Sequence, residues 1–196
     1  MKEITVAVTG ASGSACARRL LAELASHPDV GIVNAVMSTS ALLVAREEIG
    51  PGDASLAEMR ATMAGPPRKV RWLDENDLRA PIASGSHIVD GTCIVPCSTG
   101  TMGCIASGAT RNLIHRAAEV SLKERRLLIL GVREAPLSVI QIENMLTVTR
   151  AGAIVLPITP AFYSHPRSID DVVELYVGRV LDHLGLDHQL GRRWGS

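Results

Sequence analysis

The feature that most constrains this chain is a rhythm of short apolar runs. Each is closed by Gly, Ser, Thr or Pro, and helical periodicity follows. The β-branched run 4–9 ends in Gly10-Ala11-Ser12-Gly13, after which Leu20, Leu21 and Leu24 form an apolar stripe with Arg18, Arg19 and Glu23 outside it. The run 32–37 ends in Ser38-Thr39-Ser40 and leads into a helix over 41–48. Residues 53–70 are weakly patterned: a short helix, a Gly65-Pro66-Pro67 loop, then Lys69-Val70-Arg71-Trp72. The run 91–95 passes into Pro96-Cys97-Ser98-Thr99-Gly100-Thr101, 127–132 into Arg133-Glu134-Ala135-Pro136, and 153–156 into Pro157. Helices are predicted over 111–124, 138–150 and 168–184, the last with Asp170 and Asp171 in its first turn. Strand–helix alternation with short connections and no internal repeat predicts one α/β, Rossmann-like domain. Its sheet is open and mostly parallel, with helices on both faces. The composition agrees: hydrophobic content is 46% but aromatic content only 3%, so Val, Ile, Leu and Ala must build the core. The domain is assigned to 1–185. The tail 186–196 carries Trp194, which is read as a subunit contact.

In such sheets ligands sit beyond the carboxyl ends of the strands. The unusual polar clusters (Gly10–Gly13, Ser38–Ser40, Pro96–Thr101, Arg133–Pro136 and 157–163) all fall on that edge. The Pro96 loop runs from a buried strand toward small residues 104–109 that would start a helix. Amides at a helix start and three hydroxyls there suit an anion. The first loop is not a dinucleotide fingerprint, because Ser12 and Ala15 stand where glycines are needed and the second strand ends in hydroxyls, not an acid. A mononucleotide pocket is the better reading. Arg116, Lys123, Arg133 and Arg179 supply cations, and Glu48 and Glu134 carboxylates. Arg133 directly follows a buried strand and is placed at the pocket rim. Arg125 and Arg126 are read as solvated helix charges, and 80–86 as a polar loop without regular structure.

Lysine plus arginine balances aspartate plus glutamate at 20 each, so no global field draws the chain to nucleic acid or an anionic membrane. No apolar run is long enough to span a bilayer and no signal peptide is visible, so a cytoplasmic location is expected. Cys16, Cys93, Cys97 and Cys104 lack CxxC spacing and read as free thiols, and the six histidines lack ligand spacing, so no metal site is expected.

Six motifs in one order resemble the flavin prenyltransferases (UbiX family). They are Gly10-Ala11-Ser12-Gly13, Pro96 to Thr101, Asn112-Leu113-Ile114-His115-Arg116-Ala117-Ala118, Leu122-Lys123-Glu124-Arg125-Arg126, Arg133-Glu134-Ala135-Pro136 and Pro160-Ala161-Phe162-Tyr163. The resemblance implies reduced FMN as acceptor, dimethylallyl monophosphate as donor, and bonds formed to flavin N5 and C6. It implies a product used by a UbiD-type decarboxylase, and a metal-independent homo-oligomer, a dodecamer. Carried over, Gly10, Ala11, Ser12, Ser38, Ser98, Thr99, Gly100, Thr101 and Arg133 would hold FMN. Tyr163 and Arg179 would hold the prenyl phosphate beside Lys123, Ser84 and Gly85, with Arg116 and Glu134 reaching in from neighbouring subunits. Ser12 and Glu48 would lie near N5, Glu47 being the alternative to Glu48. Ser12, Glu48, Lys123 and Glu134 are thus the catalytic candidates. The chain departs from many relatives at Cys16 and Ala17, where an aromatic and a glycine are usual. Two rivals stand beside this reading. A cysteine decarboxylase of the same broad fold would want a histidine after the second helix, and 49–70 has none. A non-catalytic flavin carrier would not need the Lys123, Tyr163 and Arg179 set.

Overall fold

A computed structural model describes residues 1–64 and 69–191. Six strands, β1 (Lys2–Val8), β2 (Val30–Met37), β3 (Val70–Leu73), β4 (Gly91–Cys97), β5 (Leu128–Val132) and β6 (Ile154–Val155), form one sheet in the order β3-β2-β1-β4-β5-β6. Every pairing is parallel. This is the doubly wound Rossmann order, and the expected fold class stands. Its strand order reverses between β1 and β4, so the connections leaving those two strands diverge and open a crevice at their carboxyl ends.

Alternation of side chains along the strands feeds two cores. Ile4, Val6 and Val8 of β1 point to one face with α1 (Ser14–Ser26), α3 (Leu56–Ala64) and α7 (Ile169–Leu184). Ala7, with Leu128, Leu130 and Val132 of β5, points to the other with α4 (Thr99–Ser107), α5 (Leu113–Lys123) and α6 (Val139–Arg150). Helix α2 (Thr39–Glu48) crosses the carboxyl edge beside α1 and α3.

Several boundaries shift for local reasons. Helix α4 begins at Thr99, inside the anion loop, because Ser98 caps it by accepting the Thr101 amide at 3.2 Å. The small residues from Cys104 on therefore close this helix instead of starting it. Strand β4 continues through Pro96 to Cys97, with its ladder to β5 irregular between Ile94 and Cys97, as a residue without N–H requires. Residues 80–86 are not wholly irregular: Pro81–Ala83 form a 3-10 turn. The segment 186–191 folds back on α7, with Leu186 buried and His188 Nε2 3.1 Å from Asp182 Oδ1. Trp194 and the Gly65-Pro66-Pro67 loop lie outside the described residues. No described helix is long and apolar enough to cross a membrane.

Helix α6 is the anomaly. A Ser138–Gln141 capping box starts it, yet Val148 is its one buried residue. Val139 and Ile140 are 70% and 69% exposed, and Ile142 and Leu146 are also exposed. Leu137, Phe162, Tyr163 and Ile169 add to the exposed apolar groups. An exposed apolar run along one helix, as on α6, marks a contact surface.

Candidate active site

The first loop is shaped by close approach. A Cβ on Gly10 would meet Ser40 Cβ at 2.6 Å, so only glycine lets the start of α2 pack there. Gly13 has φ +124°, a conformation L side chains rarely adopt. Thr9 ties this loop to the next: its hydroxyl donates to Pro96 O at 2.9 Å and accepts the Ser98 amide at 2.8 Å. Ser98 Oγ in turn donates to Thr101 Oγ1 at 3.0 Å. The Thr99 and Gly100 amides occupy the first turn of α4, where no intrahelical acceptor exists. Ser38 caps α2 by accepting the Ala41 amide at 3.1 Å.

Together these elements enclose a cleft of about 270 Å³, lined by Gly10, Ala11, Ser12, Val44, Ser98, Thr99, Arg133 and Glu134. Most of the residues expected at FMN thus come together in one chain, with Glu134 beside them. Helix-start amides, hydroxyls and Arg133 suit a phosphate, so the residues present fit the phosphate end of FMN. The volume falls just short of the range of about 300–1,000 Å³ usual for ligand pockets, so one chain supplies less than a full pocket.

Glu48, not Glu47, reaches this loop. Its carboxylate accepts the Gly13 amide at 3.1 Å and the Ser14 amide at 2.7 Å. Burial alone would push this carboxyl up, but the Ser12 hydroxyl and the Ser14 and Gly13 amides outweigh it and hold it below its ordinary value. Glu48 is therefore an anion at neutral pH, separated from the cleft by Ser12, and it also fastens α2 to the start of α1. Because its folded pKa is depressed, this fastening is present above the ordinary value of 4.5 and is lost as pH falls through the lower folded value. Glu48→Ala should cost about 1 kcal/mol at pH 7, the worth of a lost cap. The difference from wild type should shrink on acidification below pH 4.5, as thermal unfolding at several pH values would read out.

Two other expected sets lie elsewhere. Tyr163 and Arg179 line a groove of about 570 Å³ between the end of β6 and α7, with Arg179 Nη1 2.8 Å from Asp182 Oδ2. The floor of this groove is set by Tyr176, buried, whose hydroxyl donates to Leu156 O at 3.1 Å. Lys123, Arg116, Ser84 and Gly85 form a third cluster. Helix α5 starts near the carboxyl edge, where Asn112 donates to Glu75 at 3.2 Å. It ends near the amino edge, where the Ser121 hydroxyl donates to Thr92 Oγ1 at 2.9 Å. Eleven helical residues cover about 16 Å. The seven residues of β4 separate the two edges by about 23 Å. Lys123, Ser84 and Gly85 therefore cannot reach the Glu134 cleft of their own chain. Their placement beside Tyr163 and Arg179 in a single chain, implied by the resemblance, does not occur.

Sequence reasoning overlooked three residues. Glu75 accepts the Thr39 amide and hydroxyl, both at 2.7 Å, and so sets the start of α2 beside Ser38. A cap supplied from another element leaves no local signature. Tyr176 is missed for the same reason. Arg126 is not a solvated charge: Nη1 donates to His87 O at 2.7 Å and Nη2 to Gly85 O at 2.6 Å. The cysteines are free, and burial pushes the Cys93 and Cys97 thiols up to about 12 and, with the Glu48 charge, Cys16 to about 11. These thiols are inert fillers and not nucleophiles.

The chain matches the Flavoprotein family over residues 1–181. It is 44% identical over 196 residues to the flavin prenyltransferase UbiX of Aquifex aeolicus, covering 99% of each chain. The crystal structure of AnUbiX (PadA1) in complex with FMN and dimethylallyl pyrophosphate is 40% identical, with a TM-score of 0.89 over 100% of this chain and 98% of that one. The dodecameric FMN-dependent UbiX-like decarboxylase from Escherichia coli O157:H7 is 39% identical, with a TM-score of 0.89 over 99% of this chain and 100% of that one.

Proposed function

We propose that this chain, which belongs to the flavin prenyltransferase (UbiX) family, transfers a dimethylallyl group from dimethylallyl monophosphate to N5 and C6 of reduced FMN. The observation that carries the reading is the strand-end cleft, which gathers Gly10 to Ser12, Ser98, Thr99, Arg133 and Glu134 against one ligand volume. Reduced FMN would supply N5 and C6: N5, giving up its proton, would bond the allylic carbon as the C–O bond breaks and phosphate departs, and ring closure at C6 would consume the prenyl C=C, one alkene carbon gaining a proton and C6 losing its own. Gly10, Ala11, Ser12, Ser38, Ser98 to Thr101 and Arg133 bind and orient the flavin nucleotide. Lys123, Tyr163 and Arg179, with Arg116 and the Ser84-Gly85 turn, hold the prenyl phosphate and stabilise it more strongly as its negative charge grows. Glu134 at the cleft rim moves a proton to or from that phosphate. The anionic Glu48, acting through Ser12, sets the polarity beside N5.

One chain separates these groups, so the working site is assembled between subunits. The partial cleft and the exposed apolar face of α6 support a homo-oligomer, and we assign a dodecamer, as the Escherichia coli relative forms. The C-terminal tail belongs to that assembly, and the protein is assigned to the cytoplasm. The product would serve a separate UbiD-type decarboxylase. Anaerobic incubation with reduced FMN and dimethylallyl monophosphate or diphosphate, followed by mass spectrometry of the released flavin, tests the activity. A flavin heavier by one dimethylallyl unit is expected with the monophosphate. Tight FMN binding without any adduct from either donor would instead indicate a flavin carrier.

A further inference from the structure

We propose that Arg126 is a positioning residue for the prenyl-phosphate half-site, holding the Ser84-Gly85 turn in register with Lys123. The inference rests on the phosphate role given above to Ser84, Gly85 and Lys123. The Arg125 amide donates to Leu122 O at 3.2 Å and the Arg126 amide to Ser121 O at 2.8 Å, the paired bonds of a Schellman ending. Arg125 takes the left-handed position with φ 56°, a place usually given to glycine. This reversal aims Arg126 back across the helix end at the turn.

The turn itself is a short loop: Ser84 O accepts the His87 amide at 3.2 Å. Its carbonyls face α5. Arg126 forks onto Gly85 O and His87 O at 2.6 and 2.7 Å, and Arg116 Nε donates to Ala83 O at 3.0 Å. On the far side, His87 Nε2 lies 2.6 Å from Glu3 Oε1. A peptide whose C=O faces inward turns the next N–H outward, and the Ser86 amide accordingly meets Ser84 Oγ at 3.3 Å. The two hydroxyls, Ser84 Oγ and Ser86 Oγ, are 2.8 Å apart on that outer side. A Cβ on Gly85 would come closest to Glu124 Oε1 and within 2.6 Å of Lys123 Nζ, so the Lys123–Glu124 ion pair packs directly against this backbone.

The guanidinium therefore does not meet the ligand. Both of its inward donors are committed to backbone carbonyls, and its charge is half-buried against them. What it supplies is the fixed relation between a helix end bearing Lys123 and a turn bearing hydroxyls, the preorganisation that an anion site needs. The planar fork matters, because a lysine ammonium could meet the two carbonyls only as a point charge.

The test compares wild type with Arg126→Gln and Arg126→Lys, with the exposed neighbour Arg125→Gln as control. Each full-length protein, loaded with FMN, is titrated calorimetrically with inorganic phosphate and assayed for transfer. Expected for Arg126→Gln are at least a tenfold rise in KM for dimethylallyl monophosphate and a matching loss of phosphate affinity. FMN affinity should stay within twofold, while kcat falls as the Lys123 site loses its register. Arg126→Lys should fall between, and Arg125→Gln should match wild type. Wild-type KM and phosphate affinity in folded Arg126→Gln overturn the proposal, as does a parallel loss of FMN affinity and thermal stability. Should Arg126→Gln fail to fold, Arg126→Lys is read in its place, and wild-type values there overturn it equally. Absence of any prenyl adduct from wild type would defeat the functional reading alone, since the contrast in phosphate affinity still judges Arg126.

Discussion

Lys123→Ala should lower prenyl transfer by roughly 10²–10³-fold, the scale seen when one donor to a developing anion is removed, while FMN affinity stays within twofold. The two halves of that expectation have separate physical grounds. Phosphate gains charge as the allylic C–O bond breaks, so a cation beside it is worth most at the transition state, and its loss falls on kcat. FMN, by contrast, would be held by Gly10 to Ser12, Ser98, Thr99 and Arg133, which line the cleft without any contribution from Lys123. Lys123 is exposed and paired with Glu124, so its removal uncovers no buried charge and should leave folding intact. Equilibrium FMN titration and single-turnover flavin assays on the same preparation measure both halves. Arg179→Ala should behave alike, because its ion pair with Asp182 is also at the surface.

The second large effect concerns assembly. Ile140→Glu should break the oligomer into smaller species and abolish transfer, with the fold of each chain retained. Ile140 is 69% exposed within one chain, so a carboxylate there costs the isolated fold almost nothing. In an assembly that buries α6 the same carboxylate would be desolvated without a partner, at a cost of several kcal/mol, and about 1.5–3 kcal/mol of apolar burial per isoleucine would be lost as well. Sedimentation velocity gives the size, circular dichroism the fold, and the anaerobic assay the activity. A variant that keeps both size and activity would remove α6 from the contact surface.

Much of the fold was legible because its signals are local. β-branched runs, polar strand ends and the Ser168 start of α7 depend on residues a few places apart, and the parallel sheet follows from their alternation. The carboxyl-edge cluster was legible for the same reason, since strand ends fall together in any such sheet. Distance across the edge was not. A crossover helix leaves the carboxyl edge and must return the chain to the amino edge, so Lys123, last residue of α5, is carried away from the cleft. The resemblance implied a pocket shared by several subunits, and a single chain places Glu134 at the Arg133 cleft and Lys123 at the end of α5, toward the opposite edge. The choice between Glu47 and Glu48 needed the rotation of α2 against α1, which periodicity over ten residues leaves loose. Arg126 needed a left-handed arginine at 125, for which the sequence offers no cue.

In the proposed assembly the Lys123 cluster of one subunit completes the Glu134 cleft of another. Lys123→Ala and Glu134→Ala, each strongly impaired alone, should be dissociated, mixed and reassembled, with native mass spectrometry verifying mixed oligomers. Sites that pair an intact Lys123 with an intact Glu134 then exist between unlike chains. Prenyl transfer well above either parent is expected. Verified mixed oligomers no more active than the parents would contradict it.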